Sequence, residues 1–497
     1  MELAHARTNK TSAAGPARVG ISGMASYLPP FSVELEDWCT WADDSWPKVN
    51  AVVGSAFRVR SPNENAYTMA ATAVLRLIQR YDIDPASVGM LALGTESSTD
   101  NSAGAVLVRG MLDVALPELD LPPLARACEV PEFKHACLGG MYALKAAARY
   151  LQTDGYGRKA IVVCSDIAEY RRGSSGEPTQ GAGAVAMLVD NDCDLLSFDV
   201  ALSGSSSAYR GPDFRKPLSR FVGQGDSAFA QPRDFPVVNG KYSTTCYLEA
   251  ALTAGKDLFA RLEGSPARWM RQLAMVYLHR PYQRMADNGL AYLYLLALAQ
   301  GDDADLTELA AMAEETGVDL ATLQDELTGN TDLATLLAEG QLTAELYPAT
   351  SAVAKRLLKS EVFSTLTTRH GSDSMRQVGN LYTASLPAWM AAGLEQAATA
   401  TEDLTGRELL AAGYGSGDAA ELMVMRFGPG WRSAARQLAF ASDLGEATAL
   451  DRETYERLHD GADVPTPVRS GVFVIDRIGD GSAAFDDTGI EYYRYLA

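Results

Sequence analysis

The chain has 497 residues, 47% of them hydrophobic and 21% charged, which is typical of a large globular protein with more than one core-sized unit. A formal net charge of −20 argues against binding to a phosphate backbone, so we expect no nucleic-acid partner. No apolar run approaches the roughly 20 residues of a membrane-spanning helix, and residues 1–17 have no apolar core of a secretory signal. We expect a cytoplasmic protein with no membrane segment, in which residues 1–17 form a flexible polar tail.

The cysteine and histidine spacings predict reduced thiols and no metal centre. The six cysteines contain no CxxC pair, and a chain of this length needs no disulfides to complete its core. The five histidines form no HxxxH or HExxH set. No ligand cage for a catalytic metal is therefore visible in the sequence.

Short apolar runs alternate with helical stretches along the chain. "VGMLALGT" precedes a polar loop and a helix from about residue 105, and "KAIVVCSD" follows the helix that begins after Cys137. This alternation is typical of an α/β protein whose central strands are buried on both faces. Because the rhythm recurs in "LAMVYLHRP", "ELLAAGYGSG" and "ELMVMRF", we expect two related halves, residues 18–190 and 191–497.

The segment at about residues 302–347 is acidic, rich in Leu and Ala, and spaced like a helix. We interpret it as a helical insertion in the second half, with a solvated outer face. A hairpin that docks a partner is the alternative.

Three side chains stand at positions suited to chemistry. Cys137 lies in "HACLGGMYALKAAARYL", where a strand-like run gives way to a glycine pair and a helix. The positive end of that helix would favour a thiolate nucleophile, whereas the alternative is a buried core cysteine. Glu96 and His279 each end an apolar strand, the edge at which open α/β sheets bind ligands. A surface glutamate and a structural histidine are the alternatives, and these residues alone leave both open.

Five separated segments, in the right order and over most of the chain, resemble the 3-hydroxy-3-methylglutaryl-CoA synthases of the thiolase superfamily, with the bacterial branch closest. They are "GTESSTD", "HACLGGMYAL", "DIAEYRRGSSGEPTQGAGAVAML", "YLHRPYQRM", and the pair "VGNLYTASL" with "GYGSG". The resemblance implies an α/β, thiolase-like fold with five layers, αβαβα, built from two pseudo-repeated halves. It also implies a homodimer that needs no cofactor, because coenzyme A is part of the substrates.

The resemblance implies a role for each of the three reactive residues. Cys137 would accept acetyl from acetyl-CoA, Glu96 would act as general acid/base, and His279 would hold the ketone of acetoacetyl-CoA. Water would then release 3-hydroxy-3-methylglutaryl-CoA. The resemblance assigns binding or network roles to a further set: Asn380, Ser416, Gly415, Tyr170, Thr179, Tyr382, Arg284, Asp166 and Asp213.

Some of these residues carry a more specific expectation. Asn380 would complete a Cys-His-Asn constellation, and Gly415 with Ser416 would let the backbone approach the ligand closely. Arg284 replaces the usual lysine and would contact the CoA phosphates. Asp166 and Asp213 would hold the active-site network, or else cap backbone N–H groups in loops. The family usually has tyrosine where this chain has Leu138, so the acyl pocket would lose a ring and a hydroxyl.

Three other functions compete with this one. The nearest is the same addition on an acyl carrier protein, for polyketide β-branching, because the motifs of the two groups are nearly identical. A decarboxylative ketosynthase is disfavoured, because its chemistry does not need the base that Glu96 matches. A scaffold without activity is disfavoured because Cys137, Glu96 and His279 are all retained.

Overall fold

The computed structural model describes residues 19–98, 103–210, 213, 235–237, 239–341, 346–445, 447–482, 484 and 486–497, so the tail expected at 1–17 lies outside it. The strands are β1 (Gly20–Tyr27), β2 (Phe31–Glu34), β3 (Ala56–Val59), β4 (Val88–Gly94), β5 (Glu132–Phe133), β6 (Lys159–Ala168), β7 (Gly181–Asp190), β8 (Leu196–Ser207), β9 (Met275–Leu278), β10 (Glu408–Gly415), β11 (Ala419–Phe427), β12 (Thr448–Ala449), β13 (Val472–Ile478) and β14 (Glu491–Leu496).

The helices fall between these strands and cluster in the second half. They are α1 (Leu35–Ala42), α2 (Trp46–Val52), α3 (Ala66–Arg80), α4 (Gly104–Glu118), α5 (Gly139–Gln152), α6 (Lys241–Phe259), α7 (Pro266–Gln272), α8 (Gln283–Ala299), α9 (Asp303–Thr316), α10 (Leu320–Thr328), α11 (Leu333–Ala338), α12 (Pro348–Leu357), α13 (Glu361–Leu366), α14 (Ser372–Met375), α15 (Ser385–Thr399), α16 (Trp431–Ala435), α17 (Phe440–Leu444) and α18 (Arg452–His459).

The main sheet runs in the order β5-β4-β6-β7-β1-β8-β11-β10-β9. Its first five strands come from the first half of the chain and the remaining four from the second. The halves join through a short antiparallel register in which Gly20 faces Ser197 and Ile21 faces Leu196. Every residue of β4 and β7 is buried, as expected for strands covered on both faces.

Helices cover the two half-sheets in a layered order. α3 packs on β1, β6 and β7 of the first half, and α6 packs on β8 and β11 of the second. Between the half-sheets lie α5 and α15, each of which contacts strands of both halves. The layers are therefore α, β, α, β and α, and the fold expected from the sequence is confirmed.

The acidic segment is helical, as expected, and it is docked on the second half. It forms α9, α10 and α11, and its side chains Leu309, Ala313, Leu323 and Leu327 join the main apolar core. At the end of the chain, β13 and β14 pair with each other, with β13 beside α3 and β14 beside α4. Within the described ranges, no helix is both long and apolar enough to cross a bilayer.

Candidate active site

Cys137 stands in a tight turn directly before α5. The preceding residue, Ala136, has a left-handed φ of 42°, and the backbone N–H of Leu138 donates to the carbonyl of His135 at 2.9 Å. The helix then lies close to β6: a Cβ on Gly140 would come 2.3 Å from the Cys164 sulfur. The glycine pair after Leu138 thus lets α5 pack closely against β6. The partly exposed Cys137 thiol lies at the positive, N-terminal end of α5.

Glu96 is an acid-base group in contact with this thiol. It follows β4, and the Cys137 thiol donates to its Oε2 atom with a sulfur-to-oxygen distance of 3.4 Å. Both side chains are partly exposed, so the pair remains reachable from solvent. A carboxylate at this distance can take the thiol proton or remove a proton from an acyl group held on the sulfur.

Asp166 holds the loop that presents Glu96. Its Oδ1 atom accepts the backbone N–H groups of Glu96 at 2.7 Å and Ser97 at 2.9 Å. Its Oδ2 atom accepts the N–H of Thr383 at 2.9 Å and also the Thr383 hydroxyl. Burial raises the pKa of Asp166, and these hydrogen bonds oppose the rise. Asp166 is fully buried and lies outside the cavity lining, and its hydrogen bonds position the Glu96 loop and Thr383.

His279 follows β9, and its backbone N–H donates to the carbonyl of Ala412 at 2.7 Å. The side chain is 1% exposed, and burial lowers the pKa of His279 to about 3. The imidazole is therefore neutral near pH 7. Its Nδ1 atom has no hydrogen-bond partner among the described residues, and its ring centre lies 6.5 Å from that of Tyr414. A neutral imidazole can donate one N–H to a ketone oxygen.

Asn380 is fixed by the loop before α15. Its Oδ1 atom accepts the N–H of Tyr382 at 2.9 Å and the hydroxyl of Ser385 at 3.0 Å, so its Nδ2 atom is the group that can donate to a ligand. Tyr382 has a left-handed φ of 45°, a backbone conformation that non-glycine residues adopt mainly at turns and functional sites. Gly379, the residue before Asn380, has φ 75°, and a Cβ there would lie 1.7 Å from the carbonyl of Gln180. Only glycine fits at that position.

A cavity of about 710 Å³ brings most of the predicted residues together. Tyr170 and Tyr382 form one wall, with their rings packed edge to face at 6.5 Å. Glu96 meets this cavity through its contact with the Cys137 thiol. The predicted residues that line the cavity are Cys137, His279, Asn380, Tyr170, Thr179, Tyr382 and Ser416.

Gly415 and Leu138 pack against each other at the Cys137 turn. A Cβ on Gly415 would lie 2.6 Å from the carbonyl of His135 and 2.8 Å from the Cβ of Leu138. Gly415 therefore approaches the Cys137 turn closely, and a close approach of its backbone to a ligand stays a prediction. Leu138 is fully buried against Gly413 and lies outside the cavity lining. Its replacement of a tyrosine accordingly changes the packing beneath the turn instead of the wall of the acyl pocket.

The basic side chains that line the cavity are two lysines and, among the described residues, do not include Arg284. Arg284 is exposed on the first turn of α8 and lies outside the cavity lining. Within the described part of the chain, the lysine and arginine side chains that line the cavity are Lys241, at the start of α6, and Lys355, on α12. Sequence reasoning missed both, because an isolated surface lysine carries no motif.

Asp213 and Tyr414 form part of a buried network beside the cavity. The Tyr414 hydroxyl donates to Asp213 Oδ2 at 3.0 Å, and the Tyr414 ring lines the cavity. Asp213 itself is fully buried and supports Tyr414 from behind. Tyr414 was not singled out from the sequence, although the motif "GYGSG" contains it.

Two family models match most of the chain. Residues 15–194 match the family model described as hydroxymethylglutaryl-coenzyme A synthase N terminal, and residues 229–455 match the corresponding C-terminal model. The chain is 28% identical over 402 residues to hydroxymethylglutaryl-CoA synthase of Haloferax volcanii, covering 80% of each protein. It is also 28% identical over 427 residues to the mitochondrial hydroxymethylglutaryl-CoA synthase of Sus scrofa, covering 83% of this chain and 74% of that protein.

A solved structure shows the same likeness over nearly the whole chain. MvaS in complex with 3-hydroxy-3-methylglutaryl coenzyme A is 30% identical to this chain. The match covers 97% of this chain and 99% of MvaS, with a TM-score of 0.74. The chain belongs to the hydroxymethylglutaryl-CoA synthase family, a group of acyl-transferring condensing enzymes with the thiolase fold.

Proposed function

We propose that the chain condenses acetyl-CoA with acetoacetyl-CoA to give 3-hydroxy-3-methylglutaryl-CoA and free CoA. The observation that carries this proposal is the Cys137 thiol at 3.4 Å from the Glu96 carboxylate, on a cavity that also contains a neutral His279. A nucleophile, a base and a hydrogen-bond donor are the groups that the reaction needs.

The first step transfers acetyl to the protein. The Cys137 thiol loses its proton to solvent, because the positive end of α5 favours the thiolate, and the sulfur attacks the thioester carbon of acetyl-CoA. The carbon–sulfur bond to CoA breaks, and CoA leaves as its thiol when it takes up a proton. The positive end of α5 and the backbone N–H groups of the turn stabilise the oxyanion formed during this exchange.

The second step forms the carbon–carbon bond. Glu96 removes a proton from the methyl group of the acetyl-thioester, and the resulting enolate carbon attacks the C3 ketone of acetoacetyl-CoA. His279 donates a hydrogen bond from its N–H to the ketone oxygen, and that oxygen takes up the proton that Glu96 removed from the methyl group as the bond forms. Because burial lowers the pKa of His279 to about 3, this residue acts as a neutral donor throughout the physiological range.

The last step hydrolyses the thioester bond to Cys137. A water molecule adds to the acyl carbon, the Cys137 sulfur leaves, and the sulfur regains a proton. The product departs as a carboxylic acid still joined to CoA at its other end. Lys241 and Lys355 line the cavity and would contact the CoA phosphates, and a contact from Arg284 at the start of α8 remains a prediction.

The carrier-protein alternative is not favoured. The relatives matched over four fifths of this chain are named hydroxymethylglutaryl-CoA synthases. A homodimer, a cytoplasmic location and the absence of a cofactor or metal remain predictions from the sequence.

Intact-mass analysis tests the proposal directly. The purified protein is mixed with acetyl-CoA, and then acetoacetyl-CoA or acetoacetyl carrier protein is offered in parallel. We expect one acetyl group per chain, which acetoacetyl-CoA discharges as hydroxymethylglutaryl-CoA. Discharge by the carrier protein alone would show the alternative to be correct, and a chain that never gains acetyl would contradict both.

A further inference from the structure

A buried pair of carboxylates lies behind the cavity wall at Tyr414. Asp213 is fully buried and Asp418 is 3% exposed. The Tyr414 hydroxyl oxygen lies 3.0 Å from Asp213 Oδ2 and 3.4 Å from Asp418 Oδ2. Neither carboxylate lines the cavity, so the pair can affect a substrate only through the residues that it holds.

The carboxylate of Asp418 shares its cationic partner with another acidic side chain. Arg210 Nε donates to Asp418 Oδ1 at 3.1 Å, and the same guanidinium also bonds to Glu249. Among the described residues, Arg210 is thus the cation bonded to both Asp418 and Glu249, and Asp213 lies beside the same group. The donor atoms of Asp213, Asp418 and Cys246 all lie within 4.8 Å of one another, and burial raises the pKa of the Cys246 thiol, which stays neutral.

The Tyr414 hydroxyl and the two carboxylates need one more hydrogen to complete their hydrogen bonds. Burial raises the pKa of the Tyr414 phenol well above its ordinary value, so the group carries one hydrogen and can donate to only one carboxylate at a time. If both carboxylates were ionised, the second would face the lone pairs of the phenol oxygen. One added proton completes the chain, because a protonated carboxyl donates to the phenol oxygen and the phenol donates to the other carboxylate.

We propose that Asp418 carries a proton that it shares in a hydrogen bond with the Tyr414 phenol oxygen, and that Asp418 is thereby a positioning residue for the cavity wall formed by Tyr414 and Ser416. Asp418 follows Ser416 by two positions, and its backbone is bonded to that of Ala208 in both directions, at 2.9 and 3.1 Å. Its carboxyl group therefore comes from a turn between β10 and β11 whose backbone is fixed, and it can fix the phenol in turn.

The wall that Asp418 supports faces the reactive centre. The Tyr414 ring lies 6.5 Å from the His279 ring and packs edge to face on Tyr247 at 5.0 Å. Loss of the shared proton places anions on both sides of the phenol and removes one hydrogen bond. We expect the wall beside His279 to loosen when that happens.

The proton makes stability depend on pH with a defined sign. Burial raises the pKa of Asp418 to about 7, although Arg210 opposes the rise. An unfolded aspartate releases its proton near about pH 3.9. Between these values the folded chain binds more protons than the unfolded chain, so this pair makes stability fall as pH rises toward about 7. Within the part of the chain that the structure describes, the titratable groups facing Asp418 are Asp213, Arg210, Tyr414, Cys246 and Glu249.

Asp418→Asn tests the proposal, because the amide donates to Tyr414 as the protonated carboxyl does but does not titrate. Melting temperatures are measured across about pH 5.5 to 7.5, together with the turnover number at each pH. In wild type, deprotonation of Asp418 should lower the melting temperature as pH rises, and the variant should not show this fall. The difference in melting temperature, variant minus wild type, should therefore increase by about 2 °C toward about pH 7.5. The ratio of the turnover number at the highest pH to that at the lowest pH should also be larger in the variant than in wild type.

Asp305→Asn is the matched control. Asp305 is 3% exposed, accepts the hydroxyl of Ser265, and has a lowered pKa, so its variant should keep the wild-type slope in this window. The same slope in Asp418→Asn as in wild type would overturn the proposal, and so would failure of that variant to fold. Stoichiometric binding of added Zn²⁺ that Asp418→Asn abolishes would assign the pair to a cation instead. The turnover readout rests on the proposed condensation, whereas the melting readout does not, so the two can fail separately.

Discussion

The Cys137 sulfur lies 3.4 Å from Glu96 Oε2, although 41 positions separate the two residues in the chain. This contact places a nucleophile against a carboxylate at the positive end of α5. Acetyl transfer needs the Cys137 thiolate and support for the oxyanion, whereas carbon–carbon bond formation needs a base for the methyl proton of the acyl group, and Glu96 is that base. The two steps can be separated by substitution.

Cys137→Ala should abolish covalent acetylation and leave the fold intact, because alanine is a smaller residue and a good helix former at the start of α5. Intact-mass analysis after addition of acetyl-CoA measures the adduct, and circular dichroism checks the fold. Cys128→Ala, which removes a buried cysteine, is the matched control and should still acetylate. An adduct mapped to any other cysteine in the Cys137→Ala chain would show that the nucleophile is wrongly assigned.

Glu96→Gln should separate acetylation from condensation. The amide keeps the size of the side chain but cannot accept the methyl proton, so acetyl-enzyme should accumulate while consumption of acetoacetyl-CoA slows by about 10²–10⁴. An absorbance assay of acetoacetyl-CoA loss measures this, with Glu263→Gln on the exposed surface as control. Wild-type condensation, or no acetylation at all, would contradict the role of Glu96 as base of the second step.

Lys241→Ala and Lys355→Ala should raise KM for the CoA thioesters and leave kcat nearly unchanged. Both side chains are exposed at the cavity, where a contact to a phosphate supplies uniform binding worth up to about 1 kcal/mol, or about fivefold in KM. Arg284→Ala, just outside the lining, should have the smaller effect. Steady-state kinetics with each thioester decides, and an unchanged KM for Arg284→Ala would remove that residue from the site.

Asp166→Asn should destabilise the protein and slow turnover together. The amide nitrogen would face N–H and O–H donors that now bond to the carboxylate, and each unsatisfied buried donor costs about 1–3 kcal/mol. Denaturant unfolding measures the loss of stability, and kcat reports displacement of the Glu96 loop. Wild-type stability in this variant would show that the buried carboxylate does not hold residues 96, 97 and 383 together as its hydrogen bonds indicate.

His279→Gln should reduce the sensitivity of the fold to acid. Burial lowers the pKa of His279 to about 3, whereas an unfolded histidine takes up a proton near about pH 6.5. The unfolded chain therefore binds more protons between these values, and stability is lost as pH falls from about 6.5 toward 3. Unfolding at about pH 4.5 and pH 7 should show a smaller difference in the variant than in wild type. An equal difference would mean that His279 is protonated in the folded state.

The sequence by itself determined the local elements and the order of the reactive residues. Helical periodicity and a glycine pair placed Cys137 at the start of a helix, and apolar runs placed Glu96 and His279 at strand ends. These features depend on neighbours within a few residues, which the sequence displays directly. The motifs around them were also enough to indicate the five-layered fold and the family.

The tertiary structure decided which distant residues meet. Asp166 bonds to Thr383, 217 positions away, and Tyr414 joins Asp213 to Asp418. The order of strands in the sheet sets these contacts, and no spacing along the chain encodes that order. For the same reason, only the structure could show that Gly415 faces the Cys137 turn and that Lys241 and Lys355, on separate helices, line one cavity.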